Sequence, residues 1–208
     1  MQIVTAIWGW SILAVILGCI PYAIWVTRTA VKKCWKKVGI QVGVPVVYFA
    51  ALSGVSALAD SGASDRYFRD TFDTVGKYPE PIFKYDSQRS FNGDGASLYV
   101  FELPDQLRRR FEKQDSRLLT EFPKRPYYRS DWKVVSWKEA PFDTSLEKYL
   151  DFALSASSGH SQEIREALSR KGTFYSFFHY DHGSSPGNID FFIVDLVGGH
   201  IYEINVNT

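Results

Sequence analysis

The hydrophobic and polar positions of this chain follow two different patterns. Residues 3–26 and 38–59 are runs of 24 and 22 residues without one charged side chain. As helices they would measure about 36 and 33 Å, enough to cross the hydrocarbon core of a bilayer. From Asp60 onward the apolar positions recur at short periods, as in a folded domain. Residues 97–103 (SLYVFEL) and 131–137 (DWKVVSW) read as strands, and so does 173–180. Leu107, Phe111 and Leu118 fit one helix face after Pro104-Asp105. Thr144-x-x-Glu147 predicts a capping box, followed by a stripe of Leu146, Tyr149, Leu150, Ala153 and Leu154 at helical spacing. A further short helix is expected over 161–170. The segments 189–197 and 200–206 flank Gly198-Gly199, which predicts a tight hairpin with a two-residue loop.

This pattern predicts an N-terminal two-helix transmembrane hairpin, residues 1–59, a juxtamembrane linker, 60–96, and a soluble α+β domain, 97–208. That domain is expected to hold an antiparallel or mixed sheet with helices on one face and a C-terminal β-hairpin. Pro21 and Pro45 interrupt the two spans near an end, where membrane helices tolerate them. Trp8, Trp10, Tyr22, Trp25 and Trp35 fall near the expected interfaces.

Charge gives the spans an orientation. The whole chain carries a formal net charge of +1, but residues 1–59 hold five basic and no acidic side chains. The five, Arg28, Lys32, Lys33, Lys36 and Lys37, all lie in the connection 27–37. Basic connections stay on the cytoplasmic side, so both termini and residues 60–208 are expected on the periplasmic or extracellular side of a bacterial inner membrane. The lipid bilayer is therefore the first expected partner. Gly39 with Gly43 and Ala50 with Gly54 form small-x-x-x-small pairs, suited to packing the second span on the first or to a homodimer. Ala57-Leu58-Ala59 imitates a signal-peptide cleavage site, but the apolar run is long for a signal and permanent anchoring is the favoured reading. Both cysteines, Cys19 and Cys34, precede Asp60, so the domain depends on its core instead of a disulfide.

Candidate chemistry changes this picture little. His179-Tyr180-Asp181-His182 resembles the last four residues of the H-x-H-x-D-H motif of the metallo-β-lactamase superfamily. Phe177 occupies the first ligand position, so a metal site at His179, Asp181 and His182 is the alternative reading and a polar strand end the favoured one. Ser145-x-x-Lys148 resembles the nucleophile motif of penicillin-binding proteins. The partner motifs fail, because Trp132 follows Ser130-Asp131 and Lys171-Gly172-Thr173 has the wrong order. No catalytic group and no cofactor is expected, and the acidic balance after residue 59 argues against nucleic acid. Arg125, Tyr127, Tyr128, Arg129, Trp132 and Trp137 combine Arg with aromatic rings, the composition of protein–protein hot spots. The expected role is thus binding of a protein partner, a toxin or an envelope complex. The layout resembles that of membrane-anchored immunity proteins, which protect bacteria from toxins delivered into the envelope. A metal-dependent envelope hydrolase and an assembly component are the alternatives.

Overall fold

The computed structural model describes residues 2–74, 79–88, 90, 94–125, 131–155 and 159–208, and the side chains of these except 2–6, 8–9, 12–16, 60–61 and 63. The chain divides into two compact units, Met1–Arg66 and Tyr67–Thr208.

The first unit contains helix α1 (Gln2–Val31) and most of helix α2 (Trp35–Phe72). Residues 32–34 turn the chain between them, with Lys33 in the left-handed region at φ 56°. Ser11 and Tyr48 share a hydrogen bond of 2.9 Å, and Gln41 Nε2 donates to Thr29 Oγ1 at 3.3 Å. Among the described residues one helix, α2, is long and apolar enough to cross a membrane. It does not stop at Ala59 but continues to Phe72, so part of the expected linker is helical. Gly39, Gly43 and Gly54 have no described atom outside their own helix within 4 Å of where a Cβ would stand, and Ala50 is exposed.

In the second unit, strands β1 (Phe83–Asp86), β2 (Gly95–Glu102), β3 (Lys133–Glu139), β4 (Thr173–His182), β5 (Ser185–Asp195) and β6 (His200–Asn207) form one sheet. Its order is β1-β2-β6-β5-β4-β3, antiparallel throughout. Helices α3 (Asp105–Glu112), α4 (Ser116–Glu121), α5 (Glu147–Leu154) and α6 (Ser161–Ser169) complete the α+β unit.

Helices cover both faces of the sheet, where the sequence had suggested one. On the first face Tyr175, Phe177, Phe191, Ile193, Tyr202 and Ile204 pack with Leu150, Ala153, Ile164 and Leu168 of α5 and α6. On the second, Phe101, Phe174, Phe192, Val194 and Ile201 pack with Phe68 and Phe72 of α2, Leu107 and Phe111 of α3, and Leu118 of α4. The reason is visible in β5, where Phe191, Phe192, Ile193 and Val194 are apolar in succession and all fully buried. A strand that alternates can leave one face wet; this one has no polar face to offer.

Local structure departs from expectation where a carboxylate intervenes. Asp115 divides the predicted helix into α3 and α4, its side chain accepting from the N–H groups of Arg117 at 3.1 Å and Leu118 at 3.3 Å. Asp143, not Thr144, caps the next element: its Oδ1 accepts from Ser145 N at 3.0 Å. A 3-10 turn over Thr144–Leu146 follows, α5 begins at Glu147, and the predicted capping box is not formed. Glu147 pairs instead with Arg165 of α6 at 2.6 Å. Asp195 and His200 are paired, so the β5–β6 loop has four residues and not two. Asp195 Oδ1 holds this loop by accepting from Val197 N at 3.1 Å and Gly198 N at 3.0 Å.

Candidate partner-binding surface

The alternation of β3 and β4 decides which side chains share a surface. Val134 lies opposite Phe178, and Lys133 opposite His179. Successive strand residues point to opposite faces. Trp132, Val134, Phe178 and Tyr180 therefore stand on the α3/α4 side, while Lys133, His179 and Asp181 stand on the α5/α6 side. The Trp132 and Tyr180 ring centroids are 6.4 Å apart, and the His182 ring meets Tyr180 edge-on at 5.0 Å. Val134 is 50% exposed, His182 is exposed, and Trp132 and Tyr180 are half-buried. The result is a partly exposed aromatic patch near one end of the sheet.

Arg125 packs on the same face, against Phe178. Only 12% of its side chain is exposed, and the guanidinium carbon sits 4.0 Å from the Tyr67 ring centroid, 5.0 Å from Phe178 and 5.6 Å from Phe192. Its Nη2 approaches Asp190 Oδ2 at 3.4 Å, and Asn205 donates to the same carboxylate. A buried cation is tolerated here because aromatic faces and a buried carboxylate surround it.

The two free edges of the sheet offer less. β1 has four residues, and β3 carries Lys133, Lys138 and a register shift between Val135 and Lys138. Short, lysine-bearing or bulged edges resist strand addition, which leaves the face as the binding candidate.

The predicted partner-binding residues thus separate. Trp132 contributes to the patch, and Arg125 packs on Phe178 of the same face. Trp137 is 5% exposed in the core, its ring 5.5 Å from Phe72 and 5.0 Å from Phe111, so it presents nothing to a partner. Tyr127, Tyr128 and Arg129 lie outside the described residues. Val134 and Tyr180 were not singled out as partner-binding residues from the sequence, although the two-residue period of DWKVVSW places Val134 beside Trp132.

The alternative metal triad is not assembled. His179 Nδ1 lies 3.3 Å from Asp181 Oδ1, but the His182 ring lies against Tyr180 and Gly187. Among the described residues no group of three His, Cys, Asp or Glu gathers that could hold a metal ion. Asp181 is engaged in another way: Tyr149 of α5 donates to its Oδ1 at 3.1 Å and Lys133 to its Oδ2 at 3.1 Å. His179 is 6% exposed, with its ring 4.2 Å from that of Tyr149. Burial pushes the His179 imidazole below its ordinary range, against the opposing pull of Asp181. Burial acts to raise Asp181, but hydrogen bonds from Lys133 and Tyr149 and the nearby His179 outweigh it and lower its pKa. Burial, then Asp181, pushes the Tyr149 hydroxyl up to about 12. At neutral pH this is a neutral imidazole beside a carboxylate held by two donors, an arrangement that fastens the end of β4 to α5.

Ser145 and Lys148 do not form a nucleophile pair. The Ser145 hydroxyl donates to Asp143 at 2.7 Å, and Lys148 Nζ donates to the Ser184 carbonyl at 3.3 Å. A groove lined by Pro141, Phe142, Leu150, Arg165 and Leu168 encloses about 190 Å³. Small-molecule pockets usually reach about 300 Å³ or more, so this groove is small for one. Comparison with protein-family models, with curated proteins and with solved structures finds no match for this chain.

Proposed function

We propose that this chain is a membrane-anchored bacterial envelope protein whose second unit binds a protein partner, in the specific form of an immunity or inhibitor protein against a toxin acting in the periplasm or at the inner membrane. The observation that carries the binding role is the partly exposed patch of Trp132, Val134 and Tyr180, on the face where Arg125 packs against Phe178. Rigid aromatic groups bind at low ordering cost, the property that distinguishes hot spots from ordinary exposed surface. The anchoring role is supported by α2, by the uncharged run 3–26 covered by α1, and by the five basic side chains between them. In this reading the two helices cross the inner membrane as a hairpin, and residues 67–208 face the periplasm. Tethering raises the local concentration of the binder where a membrane-directed toxin must act.

The test is site-specific photo-crosslinking of the full chain in cells, with a photoreactive residue at position 134. The expected result is one discrete adduct to a secreted toxin, abolished by Trp132→Ala. A probe at Lys171 serves as control. Identical adducts from positions 134 and 171, or none at 134, would overturn the binding surface. A discrete adduct to a resident envelope subunit would replace the toxin with an assembly partner. Topology is read separately: a maleimide that cannot cross membranes should spare Cys34 and label a cysteine introduced at Lys171.

A further inference from the structure

We infer that the turn between α1 and α2 is a binding site for anionic phospholipid, with lipid phosphates seated among Lys32, Lys33, Lys36 and Lys37 and Trp25 and Trp35 flanking them at the acyl boundary. This rests on the membrane reading above but asks more of these residues than orientation.

Four lysines fall within six positions, all exposed, and no acidic residue occurs anywhere before Asp60 to neutralise them. The turn gathers them: Lys33 N donates to Ala30 O at 2.8 Å, Cys34 N to Thr29 O at 3.3 Å and Lys37 N to Cys34 O at 2.9 Å. Two details distinguish this from a scatter of positive charge. Lys33 occupies a left-handed backbone position at φ 56°, where glycine would be less strained. Lys36 and Lys37 occupy the first turn of α2 with no acid beside them, the helix end at which cations are disfavoured. Positive charge is therefore concentrated where local structure opposes it, and an anion relieves that opposition.

The neighbours specify the kind of anion. Trp35 is 68% and Val31 76% exposed, and Trp25 is also exposed. An amphipathic indole beside a cation suits the boundary between headgroup and acyl chain. A free phosphate or a nucleic acid would use the lysines but leave the indoles and the apolar helix surface in water. A lipid engages both, and each lysine near an anionic surface adds to the attraction.

The test uses the full chain, purified in detergent and reconstituted into vesicles of phosphatidylcholine with and without phosphatidylglycerol. Carbonate extraction first establishes integration. Native mass spectrometry then counts lipids retained on the protein. Expected are phosphatidylglycerol adducts favoured over phosphatidylcholine, about tenfold weaker in the variant with Lys32, Lys33, Lys36 and Lys37 changed to Gln. The corresponding four Lys→Arg changes should retain them, and excess inorganic phosphate should not displace them. Integration without headgroup preference overturns this inference and leaves the membrane reading standing, as does full displacement by phosphate. Failure to integrate overturns both.

Discussion

Arg110 Nη2 lies 2.8 Å from Asp73 Oδ2, at the point where α2 ends. The same guanidinium reaches Asp115 Oδ2 with Nε at 2.8 Å and donates to the Phe72 carbonyl at 3.2 Å. One side chain thus satisfies a helix C-terminus and ties it to α3 and to the cap of α4. It also donates to the Asp73 carbonyl; a cation is favoured at that helix end, and the planar fork serves four acceptors at once. Both side chains are only about one-fifth exposed. Arg110→Ala should cost about 2–3 kcal/mol, and Arg110→Lys should recover less than half. Hydrogen exchange of the full chain should locate the loss in α3, α4 and residues 67–73; protection unchanged there would contradict the assignment.

The β5–β6 loop depends on Asp195. Its carboxylate is fully buried, accepts two loop N–H groups and pairs with Arg170. Asp195→Ala leaves those donors and the cation unmatched and should cost about 2–4 kcal/mol. Gly198→Ala should also destabilise, because a Cβ there would meet the carboxylate. Limited proteolysis should cut both variants between Asp195 and His200 and spare the wild type.

Acid should weaken the second unit in two stages. The folded His179 binds a proton less readily than the unfolded residue, since burial lowers its pKa. Stability is therefore full above the ordinary histidine value of about 6.5 and declines as pH falls toward the folded value. Asp181, also lowered, adds a second decline below the ordinary carboxylate range. Denaturation midpoints measured from pH 8 to pH 2 should fall, and His179→Asn should flatten the upper part of the curve. A midpoint that rises between pH 7 and pH 5 would refute the sign.

The two tryptophans of β3 and its approach should behave oppositely. Trp132→Ala should leave stability within about 1 kcal/mol and abolish crosslinking from position 134. Trp137→Ala should cost about 3–5 kcal/mol. Trp137→Phe should cost much less, since it keeps a ring in the core and removes an indole N–H without a described partner. Thermal melts paired with crosslinking yield separate the two effects.

Much of this arrangement can be read from local pattern. The α+β class follows from the apolar periods, and α5 and α6 begin near their expected positions. The second helical layer could have been read from Phe191-Phe192-Ile193-Val194, which breaks the alternation that a half-exposed strand requires. Asp143, Asp115 and Asp195 illustrate a different difficulty. Each competes for backbone N–H groups within three residues, and short-range spacing does not say which acceptor prevails. Arg110 stands in a run of three arginines, 108–110, but its role depends on Asp73, 37 positions earlier, which no local pattern connects to it. Trp137 lies three positions after Val134, so strict alternation would put it on the opposite face; the register shift between Val135 and Lys138 turns it into the core beside Phe72 and Phe111.

The sheet order has a temporal meaning. β2 reaches β5 only through β6, and β3 joins the sheet only through β4. A chain made from its N-terminus therefore produces the β1–β2 pair and β3 before the strands that connect them. Helices α3 to α6 can form locally, but the strands that fill the middle of both cores emerge afterward. Assembly of the second unit must wait for residues 173–207, so until then its apolar strands need shelter from one another.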